Sequence, residues 1–219
     1  MSAHKAGIVD AQLALGQLAL DQGDHAAAID WFRAAARSGD RRAYNMLGRC
    51  FEHGWGTAAD ALKASVYYRH AADLGDAWAM FNLADLLLRG KGADRDEGQA
   101  FDLYVEATRL GHIKSLNMIG LFYEKGHFVE ADKSQARAFY LAGAEGGDCW
   151  AQFNHARLLI EDGNIANALP WLEKTFESGF PDFWASMGEA LSVHSDRRLL
   201  AMARRALSSV RSCIKEARS

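Results

Sequence analysis

Eight histidines and three cysteines are the side chains here most able to hold a metal or act as nucleophiles. Cys50 and His53 stand three apart, a spacing that puts two ligands on one face of a helix. A structural metal site needs more, and no second pair has ligand spacing: Cys149 and His155 are six apart and would face differently. The helical HExxH zinc motif is absent. Arg89-Gly-Lys-Gly-Ala resembles a phosphate-binding loop only superficially, because GxxxxGK followed by Ser or Thr is missing and no strand precedes it. Asp94, Asp96 and Glu97 read as a loop plus negative charge at a helix start, not as paired catalytic carboxylates. No nucleophile–base constellation is visible. The expectation is no catalytic residue, no metal site, no cofactor and no enzymatic activity.

What remains is the chemistry of recognition, and its residues are placed by a repeat. Gly39, Gly75, Gly111 and Gly147 lie 36 residues apart, three of them followed by aspartate (Asp40, Asp76, Asp148) and one by His112. A fixed period of this length marks a repeat architecture. The register holds at Ala28, Ala64, Ala100 and Ala136, at Phe32, Tyr68, Tyr104 and Tyr140, and at Leu47, Leu83 and Ile119. Each repeat reads as two antiparallel helices. The first carries a small residue (Gly48, Ala84, Gly120, Ala156, Gly188) that admits a neighbour closely. The second carries Ala-x-x-aromatic-aromatic-x-x-Ala, with its apolar residues on one face. The closing glycine suits a left-handed C-terminal position, and the following Asp suits an N-cap. Three units have long inner connections (His53–Asp60, Arg89–Asp96, Lys125–Asp132), and the outer units have short ones.

Bulk properties agree with a folded helical protein. The chain is 49% hydrophobic and 24% charged with two prolines, which favours helix over strand or disorder. The net charge of −3 argues against nonspecific nucleic-acid binding. Charge is uneven: residues 196–219 hold seven basic residues (Arg197, Arg198, Arg204, Arg205, Arg211, Lys215, Arg218) against Asp196 and Glu216. Cys50, Cys149 and Cys213 are odd in number and far apart, which suits reduced thiols. No signal peptide or membrane-spanning stretch is visible, so a cytoplasmic location is expected.

The pattern Ala-x-x-x-Leu-Gly-x-x-aromatic-x-x-Gly, a Gly-rich connection with Asp, then Ala-x-x-aromatic-Tyr-x-x-Ala-Ala-x-x-Gly-Asp resembles the Sel-1-like repeat family. It is best matched at residues 43–76, 79–112 and 115–148, and the flanking units are closer to the tetratricopeptide pattern. The implied fold is all-α: a right-handed α-solenoid of stacked antiparallel helix pairs in one domain. Its units fall at about 9–40, 41–76, 77–112, 113–148, 149–180 and 181–195, and residues 196–219 form a basic capping helix. In that last helix Leu200, Ala203, Leu207, Val210 and Ile214 form the apolar stripe. Departures are His155 for the usual leucine and Gly143 for an alanine, which suggest loose packing in the fourth unit. Pro170 should kink its helix or delay its start. Pro181 sits at a favourable first helical position.

By resemblance to tetratricopeptide arrays, the first helices line a concave groove for a protein or peptide. Arg42, Asn45, Arg49 and His53 of the second unit should face inward, as should Trp78, Phe81 and Asp85 of the third. Lys114, Asn117 and Leu121 of the fourth and Trp150, Phe153 and Arg157 of the fifth complete the face. Trp78 with Phe81 and Trp150 with Phe153 form two aromatic pairs separated by a basic unit. They serve either as hot spots for a partner or as packing between adjacent helices. Arg42, Lys114 and Arg157 would meet the partner's carboxylates. The resemblance implies a noncatalytic adaptor or scaffold, since family members often assemble complexes or regulate a partner in bacterial systems. Alternatives are an immunity- or inhibitor-type protein and, from another class, a hydrolase or penicillin-binding enzyme of the cysteine-rich Sel-1-like type. This chain lacks the regularly spaced cysteine pairs of the latter.

Overall fold

The structure is a computed structural model that describes the backbone of residues 3–216 and the side chains of residues 7–213. Among the described residues there are twelve helices and no strand. In chain order they are α1 (Ala3–Asp21), α2 (His25–Ala36), α3 (Arg41–His53), α4 (Ala61–Asp73), α5 (Ala77–Arg89) and α6 (Glu97–Arg109). There follow α7 (Lys114–Lys125), α8 (Lys133–Glu145), α9 (Cys149–Glu161), α10 (Ile165–Ser178), α11 (Pro181–Ser192) and α12 (Arg197–Glu216). Odd helices pack against the even helix that follows, giving stacked pairs. The chain divides into two compact units, Met1–His112 and Ile113–Ser219.

Caps fix the helix starts. Asp40, Asp76 and Asp148 each accept a backbone N–H in the first turn of α3, α5 and α9. Asp60, Asp96 and Asp132, again 36 apart, do the same for α4, α6 and α8. At the end of α4, Gly75 takes φ 81° while its N–H bonds to the Ala72 carbonyl and that of Asp76 to the Ala71 carbonyl. This paired closure needs a left-handed residue, which glycine adopts without a Cβ penalty. His112 does not cap: α7 starts one residue later than the repeat predicts, at Lys114, after an N-cap Ile113 that makes no side-chain bond.

Within the first unit the core gathers Val9, Ile29, Phe32, Leu47 and Cys50. In the second it gathers Phe153, Leu172, Phe183, Met187, Leu191 and Leu199. Where the small residue of a first helix is glycine, it has a steric cause. A Cβ on Gly48 would lie 2.5 Å from the Tyr68 ring, and one on Gly120 would lie 2.6 Å from the Tyr140 ring.

Four sequence expectations change. The last helix is the second member of a sixth pair with α11, and a Cβ on Gly188 would lie 2.7 Å from Leu207, so leucine takes the place held elsewhere by the aromatic ring. Of the expected stripe, Ala203 is buried and Leu207 packs on α11, but Leu200 and Val210 are only half-buried, and Leu199, Met202 and Ala206 complete the buried face of α12. Arg218 lies outside the described residues, as do the side chains of Ile214 and Lys215. Gly143 does not loosen the fourth pair, because a Cβ there would meet that of Ala151 at 2.8 Å and that of Leu116 at 3.3 Å. Pro170 lies inside α10, which begins in register at Ile165 and is not delayed; Pro181 is at the start of α11 as expected.

Candidate functional site

In the first unit the residues expected on the first helices fall into two groups. Arg42 is exposed and bound to Asp40 at 2.8 Å and Asp10 at 2.7 Å. The Arg42 side-chain bond, against the opposing effect of burial, holds the Asp40 carboxyl below its usual range. Arg49 stacks its guanidinium over Trp55 at 5.1 Å, and exposed His53 lies 4.7 Å from the same ring. Trp78 is 51% exposed. It meets the His112 ring edge-on at 4.4 Å, and the Phe81 ring lies 4.7 Å from the same His112. Asp85 is bound by Arg89. Asn45 differs: it is buried and accepts a hydrogen bond from the Asn82 amide at 3.0 Å. Its polar group is spent joining α3 to α5.

The second unit repeats this division. Lys114 is exposed, and Leu121 is half-buried against Tyr140 and Leu158. Asn117 is buried and accepts from the Asn154 amide at 2.8 Å, so it ties α7 to α9. Trp150 is half-buried with its ring edge-on to Phe183 at 4.9 Å, and Phe153 is only 8% exposed, packed on the same Phe183. Phe153, Asn45 and Asn117 are therefore interior residues, not an inward-facing contact surface. A residue at the fifth position of a first helix sits between two neighbours of the same layer, which periodicity alone does not distinguish from a groove wall.

Arg157 is also placed differently from the expectation that it waits for a partner's carboxylate. One nitrogen lies 2.7 Å from both oxygens of Glu124, and the other lies 2.6 Å from Glu161. Burial acts to lower the Arg157 pKa, but the bonds to Glu124 and Glu161 outweigh it and raise it. Glu124 in turn accepts the Tyr140 hydroxyl at 2.6 Å. The same arrangement recurs as Tyr68 to Glu52 at 2.7 Å, while Tyr104, with Leu88 at the matching position, meets Asp85 at 3.4 Å. All three rings are fully buried, and burial pushes their hydroxyl pKa values well above the usual tyrosine range. These tyrosine–carboxylate bonds, absent from the sequence reading, had a signal: Glu52 and Glu124 are 72 residues apart.

That interval is general. Along the four central first helices, basic alternates with Trp (Arg42, Trp78, Lys114, Trp150), and Asn with Phe (Asn45, Phe81, Asn117, Phe153). Gly alternates with Ala (Gly48, Ala84, Gly120, Ala156), and Glu with an aliphatic residue (Glu52, Leu88, Glu124, Ile160). The packing follows the same rhythm. Phe51 stacks on Tyr67 at 5.3 Å, and Tyr123, 72 residues on, stacks on Phe139 at 5.6 Å. Each compact unit holds one such double repeat.

The residues first considered for catalysis or metal binding are separated. Cys50 is buried in the core, where desolvation pushes its thiol up to about 11, and His53 is on the exterior. Cys149 is likewise pushed up to about 11 by burial. Among the described residues no three His, Cys, Asp or Glu side chains gather in a way that could hold a metal ion. No helix among them is long and apolar enough to cross a membrane.

Comparison with known proteins accords with this geometry. The chain is 29% identical over 190 residues to an exopolysaccharide production negative regulator of Rhizobium leguminosarum, covering 72% of this chain and 70% of that protein. It is 33% identical over 115 residues to chitin synthase regulatory factor 1 of Schizosaccharomyces pombe, covering 51% of this chain but 25% of the longer protein. Among solved structures, the Sel1 repeat protein from Oxalobacter formigenes superposes with a TM-score of 0.78 at 25% identity, over 94% of this chain and 88% of that one. The Sel1 repeat model matches residues 9–40, 41–76, 79–112 and 113–148. With four matched repeats, the shared stacked-pair architecture and the repeat glycines explained by tyrosine packing, the chain belongs to the Sel1 repeat family.

Proposed function

We propose that this chain is a noncatalytic adaptor that binds another protein or peptide through the exposed residues of the first helices of its pairs. The observation that carries the reading is Trp78, half exposed yet held by its edge-on contact with His112. A rigid, amphipathic ring at the surface is the residue type that dominates protein-binding hot spots. Arg42 and Arg49, on α3 of the same unit, are oriented cations, the first fixed by two aspartates and the second by Trp55. Because those cations already have partners, the reading favours a ligand that offers apolar or aromatic side chains first and charge second. The regulatory names of the relatives support a client whose activity is modulated, and the negative regulator supports restraint of that client, the inhibitor-type reading.

Affinity capture with the full chain as bait, compared with Trp78→Ala, tests this. Loss of a specific captured protein with unchanged helical circular dichroism is the expected result. Capture that survives both Trp78→Ala and Arg42→Glu would overturn the reading. Phe153→Ala is the contrasting variant, expected to lower stability because that ring is interior.

A further inference from the structure

Position 155 holds histidine where the three preceding pairs hold Leu47, Leu83 and Ile119. The side chain is 7% exposed, and its Nδ1 is buried with no hydrogen-bond partner. A buried nitrogen left unsatisfied lowers stability relative to the leucine it replaces, so the fold alone gives no reason for it. The ring lines a groove of about 460 Å³ between α8, α9 and α10 of the second unit, within the size range of small-ligand sites. Leu141, Leu159, Pro170 and Trp171 supply apolar walls, and Trp171 presents its ring to His155 edge-on at 5.3 Å. Lys174 is the one charged residue lining the groove, with its ammonium 4.3 Å from the centre of the Trp171 ring. On α9 this site and Arg157 point in nearly opposite directions, since two residues on a helix are about 200° apart.

We propose that this groove binds a small organic acid with an apolar, flat body. The body lies against Trp171 and Leu159, and the carboxylate meets a His155 ring N–H and the Lys174 ammonium. The chemistry is selective in two ways. A carboxylate offers the imidazole a hydrogen-bond acceptor, reaching Nδ1 by a turn of the ring because that atom is covered by surrounding side chains, and it answers the positive charge of Lys174. An aromatic body adds ring packing on Trp171. Burial first, and then the positive charge of Arg137 on α8, hold the histidine below its ordinary pKa, with Glu145 acting the other way. The imidazole is therefore neutral near pH 7 and has one N–H to offer.

The test is titration of the full chain, followed by ¹H–¹⁵N NMR, with phenylacetate as probe and phenylacetamide as its uncharged counterpart. The expected result is saturable shifts confined to α8–α10 with phenylacetate at millimolar or lower concentration, and binding of the amide at least about tenfold weaker. His155→Leu restores the residue type of the other pairs, so it should keep or raise the melting temperature while weakening phenylacetate binding at least about tenfold. Lys174→Gln, on the surface, should weaken binding several-fold without touching the core. No saturable change up to about 10 mM phenylacetate, equal binding of acid and amide, or unchanged binding in His155→Leu would each overturn the proposal. Should His155→Leu fail to fold, the acid–amide comparison and Lys174→Gln decide it alone.

Discussion

Gly120→Ala sets two physical effects against each other, and the sign of the result decides between them. On helix propensity alone, replacing a mid-helix glycine by alanine stabilises by about 1 kcal/mol. The structure opposes this: the new Cβ would lie 2.6 Å from one Tyr140 ring carbon and 2.7 Å from a second. Carbon atoms pack at about 3.5–4.0 Å, so the ring retreats by about 1 Å and takes its hydroxyl away from Glu124, now at 2.6 Å. Where the small residue is Ala84, position 88 holds leucine instead of glutamate, and the Tyr104 hydroxyl reaches a different carboxylate, Asp85, at 3.4 Å. Overpacking costs about 1–3 kcal/mol, and weakening a hydrogen bond to a charged acceptor removes part of about 1.5–3 kcal/mol. With about half of the hydrogen-bond value lost, and less the propensity gain, Gly120→Ala should destabilise by roughly 1–3.5 kcal/mol. Urea denaturation monitored by circular dichroism measures this, and in a Tyr140→Ala background the same change should instead recover the gain of about 1 kcal/mol. A neutral or stabilising Gly120→Ala in the native background would refute the claim that the ring dictates the glycine.

Spectrophotometric titration at alkaline pH should separate the tyrosines. Tyr68, Tyr104 and Tyr140 have folded pKa values above the unfolded value, so their contribution is complete below about pH 10 and declines as the pH climbs beyond it. Three of the six tyrosines should therefore ionise only as helical signal is lost, and ionisation of all six in the folded state would contradict the burial. Thiol titration with a disulfide reagent near pH 8 should find Cys213 reactive in the folded chain and all three cysteines reactive in denaturant, because burial raises Cys50 and Cys149 to about 11. Arg157→Ala leaves the half-buried Glu124 carboxylate without its cation and should cost about 1–3 kcal/mol in urea denaturation, with Arg157→Lys recovering only part. Phe128 holds φ 61° at the loop position where the two preceding units have Gly56 and Gly92, and it is 62% exposed. Phe128→Gly should therefore raise stability by up to about 1 kcal/mol, and a clear loss would show that the ring's own contacts exceed the strain.

Much of the fold was legible because its determinants are local and periodic. Glycine followed by aspartate both ends one helix and caps the next, and Ala-x-x-aromatic-aromatic places one face inward whatever lies beside it. The candidate face was less legible, because position within a helix says which way a residue points but not what already stands there. Arg157 reads as a free cation until Glu124, 33 residues earlier, is seen beside it. Asn45 reads as a ligand-binding amide until Asn82 is found across the layer. The α12 stripe is right at Ala203 and Leu207 but not at its edges: Leu200 and Val210 are more apolar than Ala206, but the partner helix α11 decides which side is covered. The outlier at His155 was visible as a departure, while the groove that gives it meaning needs α8 and α10 in place.

The alternation along the first helices also defines how such a chain can grow or shrink. Asn45 finds Asn82 and Asn117 finds Asn154 because an Asn–Met pair is followed by a Phe–Asn pair in the next layer. Removing or adding one hairpin of 36 residues would set the fifth-position Asn against the sixth-position Met, or Phe against Asn, and would strand a buried amide. A cassette of 72 residues keeps every layer beside its complement. The unit a designer should splice is thus two hairpins long.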